Sequence, residues 1–491
     1  MKRIQQAGLL LLSAACILSS CKSKDEKTAG SSKVMDIPVT SKSDDAKKAF
    51  ADGLMYSDQG DGKKAKASFE KATAADPDMS AAWLYMANYT NTAQEFLDDL
   101  QKAKAHLDNA SDWEKSFYDY QQSFLKNDYD ARLAAANKIV EKYPDAPRAQ
   151  VILGSVYESG KNPSDARATY EKAISMDAKF LVAYSSLSSN YLNSEPKDFK
   201  KAEEMASQAV ELAPSSPNTQ ILLGDCYRAQ NDLEKAKASY IKAVSLDADD
   251  PVGYYKEGHV NSFLGNYDDA RKNYAEGGTH DIAPIGSKQW IAYTYLYAGD
   301  IASAQKAFDE DLDASTSPDD KLTYAVDGCM TAIFIGDANK LREETAKQKE
   351  PADAIAKAEG STPENLGQEK AVENYWGGLA DAIEGKFDDA KAKAEEMKKE
   401  LEPIKSPTKL QDYEFLLGFT ALKQKNFTEA VTHLENSALT QVFDRYYLAQ
   451  AYEGAGQKDK ADNIYKALAI YNFNSVDYAL IRTDARKKAG M

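Results

Sequence analysis

The stretch GDCYRAQNDLEKAKASYIKAVSLDADDP, residues 224–251, decides the fold. Its small and large residues recur at helical spacing, Asn231-Asp232 interrupts them as a turn signal, and Asp250-Pro251 closes the second run. Counted from Gly224, Tyr227, Ala236, Tyr240 and Ala243 lie at offsets 3, 12, 16 and 19. The same ruler laid at Gly53 finds Tyr56, Ala65, Phe69 and Ala72, with Pro77 at offset 24. At Gly154 it finds Tyr157, Ala166, Tyr170 and Ala173, and at Gly258 it finds Ala270, Tyr274 and Gly277.

Working outward, the small-residue slot falls at 53, 87, 120, 154, 188, 224, 258 and 292, then at 329, 378, 418 and 449. The period is about 34 residues, which marks an array of stacked units, none able to bury its apolar face alone. Gly224 and Ala236 are expected on facing sides of one hairpin, with Tyr227 and Tyr240 filling the space around them. The copies at Ala87 and Tyr120 are degenerate, and around Cys329 the match nearly vanishes. Residues 352–370, with Gly360-Ser361-Thr362-Pro363, read as a longer connection.

The pattern resembles the tetratricopeptide repeat (TPR) family. The resemblance implies an all-α fold, an α-solenoid of stacked antiparallel helix pairs forming a TPR superhelix of about 11–12 repeats including degenerate ones. The expected organisation is a lipoprotein signal peptide (1–20), a lipidated cysteine and flexible tether (21–45) and an N-terminal solenoid (46–318). A degenerate repeat and connection (319–370) follows, then C-terminal repeats and a capping helix (371–491) with Arg482, Arg486, Lys487 and Lys488 facing water. The stack is expected to be elongated.

Lys2 and Arg3 precede an apolar run from Ala7 to Leu18, too short to span a bilayer and arranged as a secretory signal. Leu18-Ser19-Ser20-Cys21 resembles the bacterial lipobox, which makes Cys21 the lipidation site and anchors the chain to the membrane by lipid alone. Lys24-Asp25-Glu26 is similar to the surface-export signal of Bacteroidota lipoproteins. The implied address is the bacterial outer membrane, periplasmic or on the cell surface.

Lysine and arginine total 61 against 77 aspartate and glutamate, a formal charge of −16. That balance argues against nucleic acid as a partner. No His-Glu-x-x-His or Cys-x-x-Cys spacing, phosphate loop or Gly-x-Ser-x-Gly elbow is present, so no metal, no cofactor and no catalytic residue is assigned. Cys226 and Cys329 lie about three repeats apart and read as buried small apolar residues. Asp268-Asp269 and Asp388-Asp389 stand at helix starts, where they favour the helix dipole.

A non-enzymatic scaffold binding a protein or peptide partner in its groove is the reading this supports. The resemblance places first helices on the concave side. It assigns inner-face positions to Arg148, Val151, Ser155 and Glu158, to Val182, Ser185, Ser189 and Asn193, and to Asn218, Ile221, Asp225 and Arg228. Tyr255, His259, Phe263, Tyr293 and Tyr297 follow, as an aromatic patch. Solvent-facing apolar clusters mark interaction surfaces; the alternative is that these rings pack between repeats or under a returning segment. The Lys/Asn carboxylate clamp of some TPR domains is not matched, since Ser155, Ser189 and Asp225 stand where it wants asparagine. The rival function is a surface lipoprotein that captures a nutrient such as a glycan on Tyr255 and Tyr293. A hydrolase within residues 319–370 ranks third.

Overall fold

Nine of the second helices begin the same way, with one capping residue between a left-handed turn and the helix. The residue at offset 7 from the slot has positive φ in nine copies: Gly60, Lys161, Asn231, Gly265, Gly299, Gly336, Gly385, Lys425 and Gly456. The next residue caps the second helix, and in five of these copies its side chain accepts a backbone N–H three residues on: Asp61, Asn162, Asp232, Asp300 and Asp337. The left-handed residue reverses the chain while the cap satisfies an N–H that the reversal leaves open.

The computed structural model describes residues 37–90, 92–125, 128–281, 285–359 and 363–491, and these contain no strand. The signal segment, Cys21 and Lys24-Asp25-Glu26 lie outside the described residues. Among the described residues twelve helical hairpins follow one another. They are α1/α2 (Asp44–Asp58, Gly62–Ala75), α3/α4 (Ser80–Met86, Ala93–Ala105), α5/α6 (Asp112–Leu125, Tyr129–Lys142) and α7/α8 (Pro147–Ser159, Pro163–Met176). Next come α9/α10 (Leu181–Asn193, Phe199–Leu212), α11/α12 (Pro217–Ala229, Leu233–Leu246), α13/α14 (Pro251–Leu264, Tyr267–His280) and α15/α16 (Ile285–Tyr297, Ile301–Ala314). The third group is α17/α18 (Pro318–Ile335, Ala338–Lys347), a single α19 (Lys349–Glu359), α20/α21 (Pro363–Glu384, Phe387–Glu400) and α22/α23 (Gln411–Lys423, Phe427–Leu434). Finally α24/α25 (Val442–Gly454, Lys458–Ala469) precede a last helix, α26 (Val476–Lys488). The all-α solenoid is what the 34-residue ruler predicts.

Within a hairpin, the slot glycine faces the ring at offset 16. A β-carbon on Gly224 would lie 2.5 Å from Tyr240 Cε1; on Gly53 it would meet Phe69, and on Gly258 Tyr274, at the same distance. Gly418 meets Leu434 likewise. The space that Gly224 leaves is thus filled by the Tyr240 ring, the role expected of Tyr240. That ring is wholly buried, as Tyr240 and Tyr274 are at 0% exposure, so its hydroxyl must be paired. The first helix supplies the partner at offset 1 or 4. Tyr170 donates to Glu158 (2.8 Å), Tyr240 to Asp225 (2.7 Å) and Tyr465 to Glu453 (3.2 Å).

Three boundaries differ from the sequence reading. Residues 37–43 are packed and not part of a tether: Ile37 is buried, and Thr40 N–H donates to the buried Glu114, which also accepts from Ser111 and Ala81. Ser111 and Glu114 form a capping box whose spare acceptor capacity pins the incoming chain. Residues 352–370, expected as connection, are mostly helical in α19 and the start of α20, because Ile355 is buried as a core residue. The stack also does not run on as an open rod. The first turn returns to α11, where Ser216 Oγ and Asn218 Nδ2 donate to Gln59 O (3.0 and 3.3 Å), and Arg148 forks onto Asp58 (2.8 and 2.7 Å). Tyr129 N–H donates to Lys405 O (3.0 Å), joining distant hairpins in the same manner. Per-repeat rotation brings remote turns together.

The ring-on-glycine contact predicts that Gly224→Ala destabilises the chain by about 1–3 kcal/mol through overpacking, although alanine favours helices. Denaturant unfolding of the variant measures this; an unchanged or raised midpoint would show that Tyr240 has room to move.

Candidate functional site

A non-helical piece of the chain, residues 471–475, packs against α11, α13 and α15. These residues, Tyr-Asn-Phe-Asn-Ser, link α25 to α26. Asparagines alternate with aromatics, and Asn472 takes a left-handed backbone conformation (φ 52°), so the segment bends there. Asn472 Nδ2 donates to Asn231 Oδ1 (2.7 Å). Asn474 Oδ1 accepts from the Tyr297 hydroxyl (2.8 Å), while its Nδ2 donates to His259 Nδ1 (3.0 Å). Phe473 receives the Arg228 guanidinium at 4.5 Å from its ring centre. Beyond the segment, Tyr478 sets its ring edge-on to Phe263 (5.8 Å), and Arg482 donates to Phe263 O (2.7 Å).

The sequence-selected residues thus divide in two. Arg228, His259, Phe263 and Tyr297 do come together, with Asp225 beside them, but around this segment and not in an open groove. Asp225 binds Arg228 and Lys256, each at 2.8 Å, and accepts from Tyr240. Burial works against its charge, yet the two cations together hold the carboxyl below the usual range. Tyr255 and Tyr293 are elsewhere. Tyr255 is 3% exposed, with its edge to Trp290 (4.6 Å) and its hydroxyl on Asp281 (2.9 Å). Tyr293 is 4% exposed and donates to Asp327 of α17 (2.9 Å). The expectation of a solvent-facing aromatic patch is corrected: the rings are core between repeats or lie under the returning segment. Buried rings offer no face to a sugar, which removes the feature on which glycan capture rested.

One further expectation changes: Arg482 is half-buried and bonded to Phe263 O, while Lys488 stays exposed and pairs with Glu453 (2.8 Å). Asp268 and Asp269 stand in the first turn of α14, as read, and also pair with Arg271 and Lys272 of their own helix. Cys226 and Cys329 are free and buried, as read, and burial pushes both thiols up to about 12. Among the described residues no group of three His, Cys, Asp or Glu side chains is placed to hold a metal, and no helix is long and apolar enough to cross a membrane.

The sequence reading missed residues 471–475. Their signal is compositional: two asparagines interleaved with aromatics, Tyr471, Asn472, Phe473 and Asn474, just outside the helical ruler.

With this geometry in place, comparison with known proteins bears on its class. The tetratricopeptide repeat family matches residues 53–79, 126–179 and 195–255. The chain carries tetratricopeptide repeats. Among curated proteins it resembles the Sol locus transcriptional repressor of Clostridium acetobutylicum, 35% identical over 76 residues, 16% of this chain and 24% of that one. The chain thus spans about a quarter of that relative. Similar solved structures include a thermophilic TPR protein of Thermus thermophilus, 19% identical, covering 38% of this chain and 99% of that one with a TM-score of 0.34. A tetratricopeptide repeat protein of Parabacteroides merdae is 12% identical, covering 54% and 91%, also with a TM-score of 0.34.

His259 makes the strap contact sensitive to acid. Its Nδ1 accepts from Asn474 and lies 2.9 Å from the Tyr274 hydroxyl, so a proton there would face an amide donor. Burial, with Arg228 and Lys256 nearby, lowers its pKa well below the ordinary value. The unfolded chain takes up a proton below about pH 6.5 and the folded chain does not. This stabilisation is complete above that pH and is lost as pH falls toward the folded value. Asp250, pushed up to about 7 by burial, works in the opposite sense: its contribution is full below the unfolded carboxylate range and fades as pH rises through 7. Measuring His259→Gln beside the parent cancels Asp250. Between pH 6.5 and 5 the parent is expected to lose stability relative to the variant by up to about 1.4 kcal/mol per pH unit. Parallel pH profiles would mean His259 is not held neutral.

Proposed function

We propose that this protein is a lipid-anchored, non-catalytic TPR scaffold of the bacterial outer membrane that binds a protein or peptide partner along its inner face. The observation that carries the reading is the strap: side chains from three successive hairpins already hold a non-helical peptide segment, through asparagine pairing, an arginine on a ring and a tyrosine hydroxyl. A surface that binds its own non-helical segment in this way has the chemistry to bind another. The inner face continues past the strap onto α9, where Val182, Ser185 and Ser189 are half-buried and Asn193 is exposed. That stretch is the proposed landing place for the partner.

The anchor rests on Cys21 and the export address on Lys24, Asp25 and Glu26, as the lipobox and surface-signal resemblances imply. One experiment addresses both halves of the proposal. The full-length chain, extracted from membranes in mild detergent, is expected to bring down a stoichiometric partner, and Ser189→Arg is expected to lose it while folding normally. Cys21→Ala is expected to move the protein from the membrane to the soluble fraction, since lipid is its proposed anchor. Equal capture by Ser189→Arg would move the partner off this face, and membrane retention of Cys21→Ala at high salt would refute the anchor.

A further inference from the structure

Five of the cations near the strap and the helix that follows it bear on its packing, and three of them are answered. Arg228 and Lys256 share Asp225, and Arg482 donates to Phe263 O. The other two are Lys197, in the connection between α9 and α10, and Arg445, on α24. Both reach the same ring: Lys197 Nζ lies 5.0 Å and Arg445 Cζ 5.9 Å from the centre of Tyr471. Among the described residues neither has a carboxylate oxygen within 4.0 Å. Burial lowers the pKa of both, and the Arg445 charge lowers that of Lys197 further; the Tyr471 phenol at Arg445, and the solvent-exposed Glu195 at both, oppose these effects.

In a chain with 77 acids and 61 bases, two half-buried like charges left facing one ring are an exception that needs a reason. Removing cations from water without an anion is unfavourable, and the cation–ring contacts return only part of that loss. A guanidinium presents a planar fork of donors and an ammonium three rotatable ones, which together match an oxygen-bearing anion better than a halide. From this geometry we infer that the seam between the α9–α10 connection and α24 binds a small oxyanion, a carboxylate or phosphate group, held between Lys197 and Arg445 beside Tyr471. Because these cations come from remote parts of the chain and meet at the strap, a bound anion would tie the N-terminal hairpins, the strap and the C-terminal hairpins together.

The test is the thermal unfolding midpoint of the full chain in detergent, in sodium phosphate against sodium chloride of equal ionic strength, with sodium acetate as a third arm. Phosphate is expected to raise the midpoint over chloride by on the order of 2 °C. Lys197→Met and Arg445→Met are each expected to lose that increment, whereas Lys197→Arg keeps it. Neither methionine variant should melt lower in chloride, because each removes one of two repelling charges. An increment in acetate as well shows that a carboxylate suffices; an increment in phosphate alone assigns a phosphate group. Equal midpoints in phosphate and chloride for the parent, or an undiminished increment in both methionine variants, overturns the proposal. Should the variants fail to fold, the phosphorus NMR line of inorganic phosphate with the unaltered chain decides: broadening supports the site, and a line as sharp as in buffer refutes it.

Discussion

The structure depends on a ring pressed against a backbone that has no side chain. Tyr170, Tyr240 and Tyr274 each lie over a glycine of the preceding helix, and that contact fixes how closely the two helices of a hairpin approach. A buried tyrosine gains from its apolar area but must keep its hydroxyl bonded, so the first helix has to place an acceptor one or four residues past the glycine. Where the acceptor is a carboxylate, burial raises its pKa, as at Glu158, and the Tyr170 hydroxyl and Asn190 amide offset that tendency. Each hairpin with a tyrosine at offset 16 therefore carries an internal polar pair that specifies its register.

The same rule bears on the inner face. Asp225 and His259 stand at offset 1, one receiving a tyrosine hydroxyl and the other beside one, and both then reach beyond their hairpin. Asp225 gathers Lys256 from the next first helix; His259 turns its remaining capacity to Asn474. The residues that close a hairpin also hold the strap, so the groove and the core are not separate systems. Stacked repeats contact mainly their neighbours; here contacts such as Tyr297 with Asn474 and Asn231 with Asn472 join hairpins far apart in sequence.

Much of the fold was legible. The slot positions from 53 to 449 fall in the first helix of a hairpin, except Ala87, which lies in the 3-10 turn just past α3, because glycine, tyrosine and alanine at fixed offsets record local packing directly. The candidate site was legible only in part. Of the expected group, Arg228, His259, Phe263 and Tyr297 lie close together, but they meet residues 471–482, which no period connects to them. Tyr255 and Tyr293 occupy equally regular positions and proved to be core, since periodicity gives the face of a helix and not what covers it. The closure at Gln59 and Ser216 was beyond reach for the same reason: it follows from small rotations accumulated over many hairpins.

The central claim is that the strap lies in the groove and is coupled to it. A double-mutant cycle between Tyr297→Phe and Asn474→Ala, read by denaturant unfolding of the full chain, tests this most directly. The side chains meet at 2.8 Å across 177 residues of sequence. A direct buried contact predicts a coupling energy of about 0.5–3 kcal/mol. Additivity to within about 0.3 kcal/mol would contradict the account, because it would mean that the strap does not rest on Tyr297 in solution.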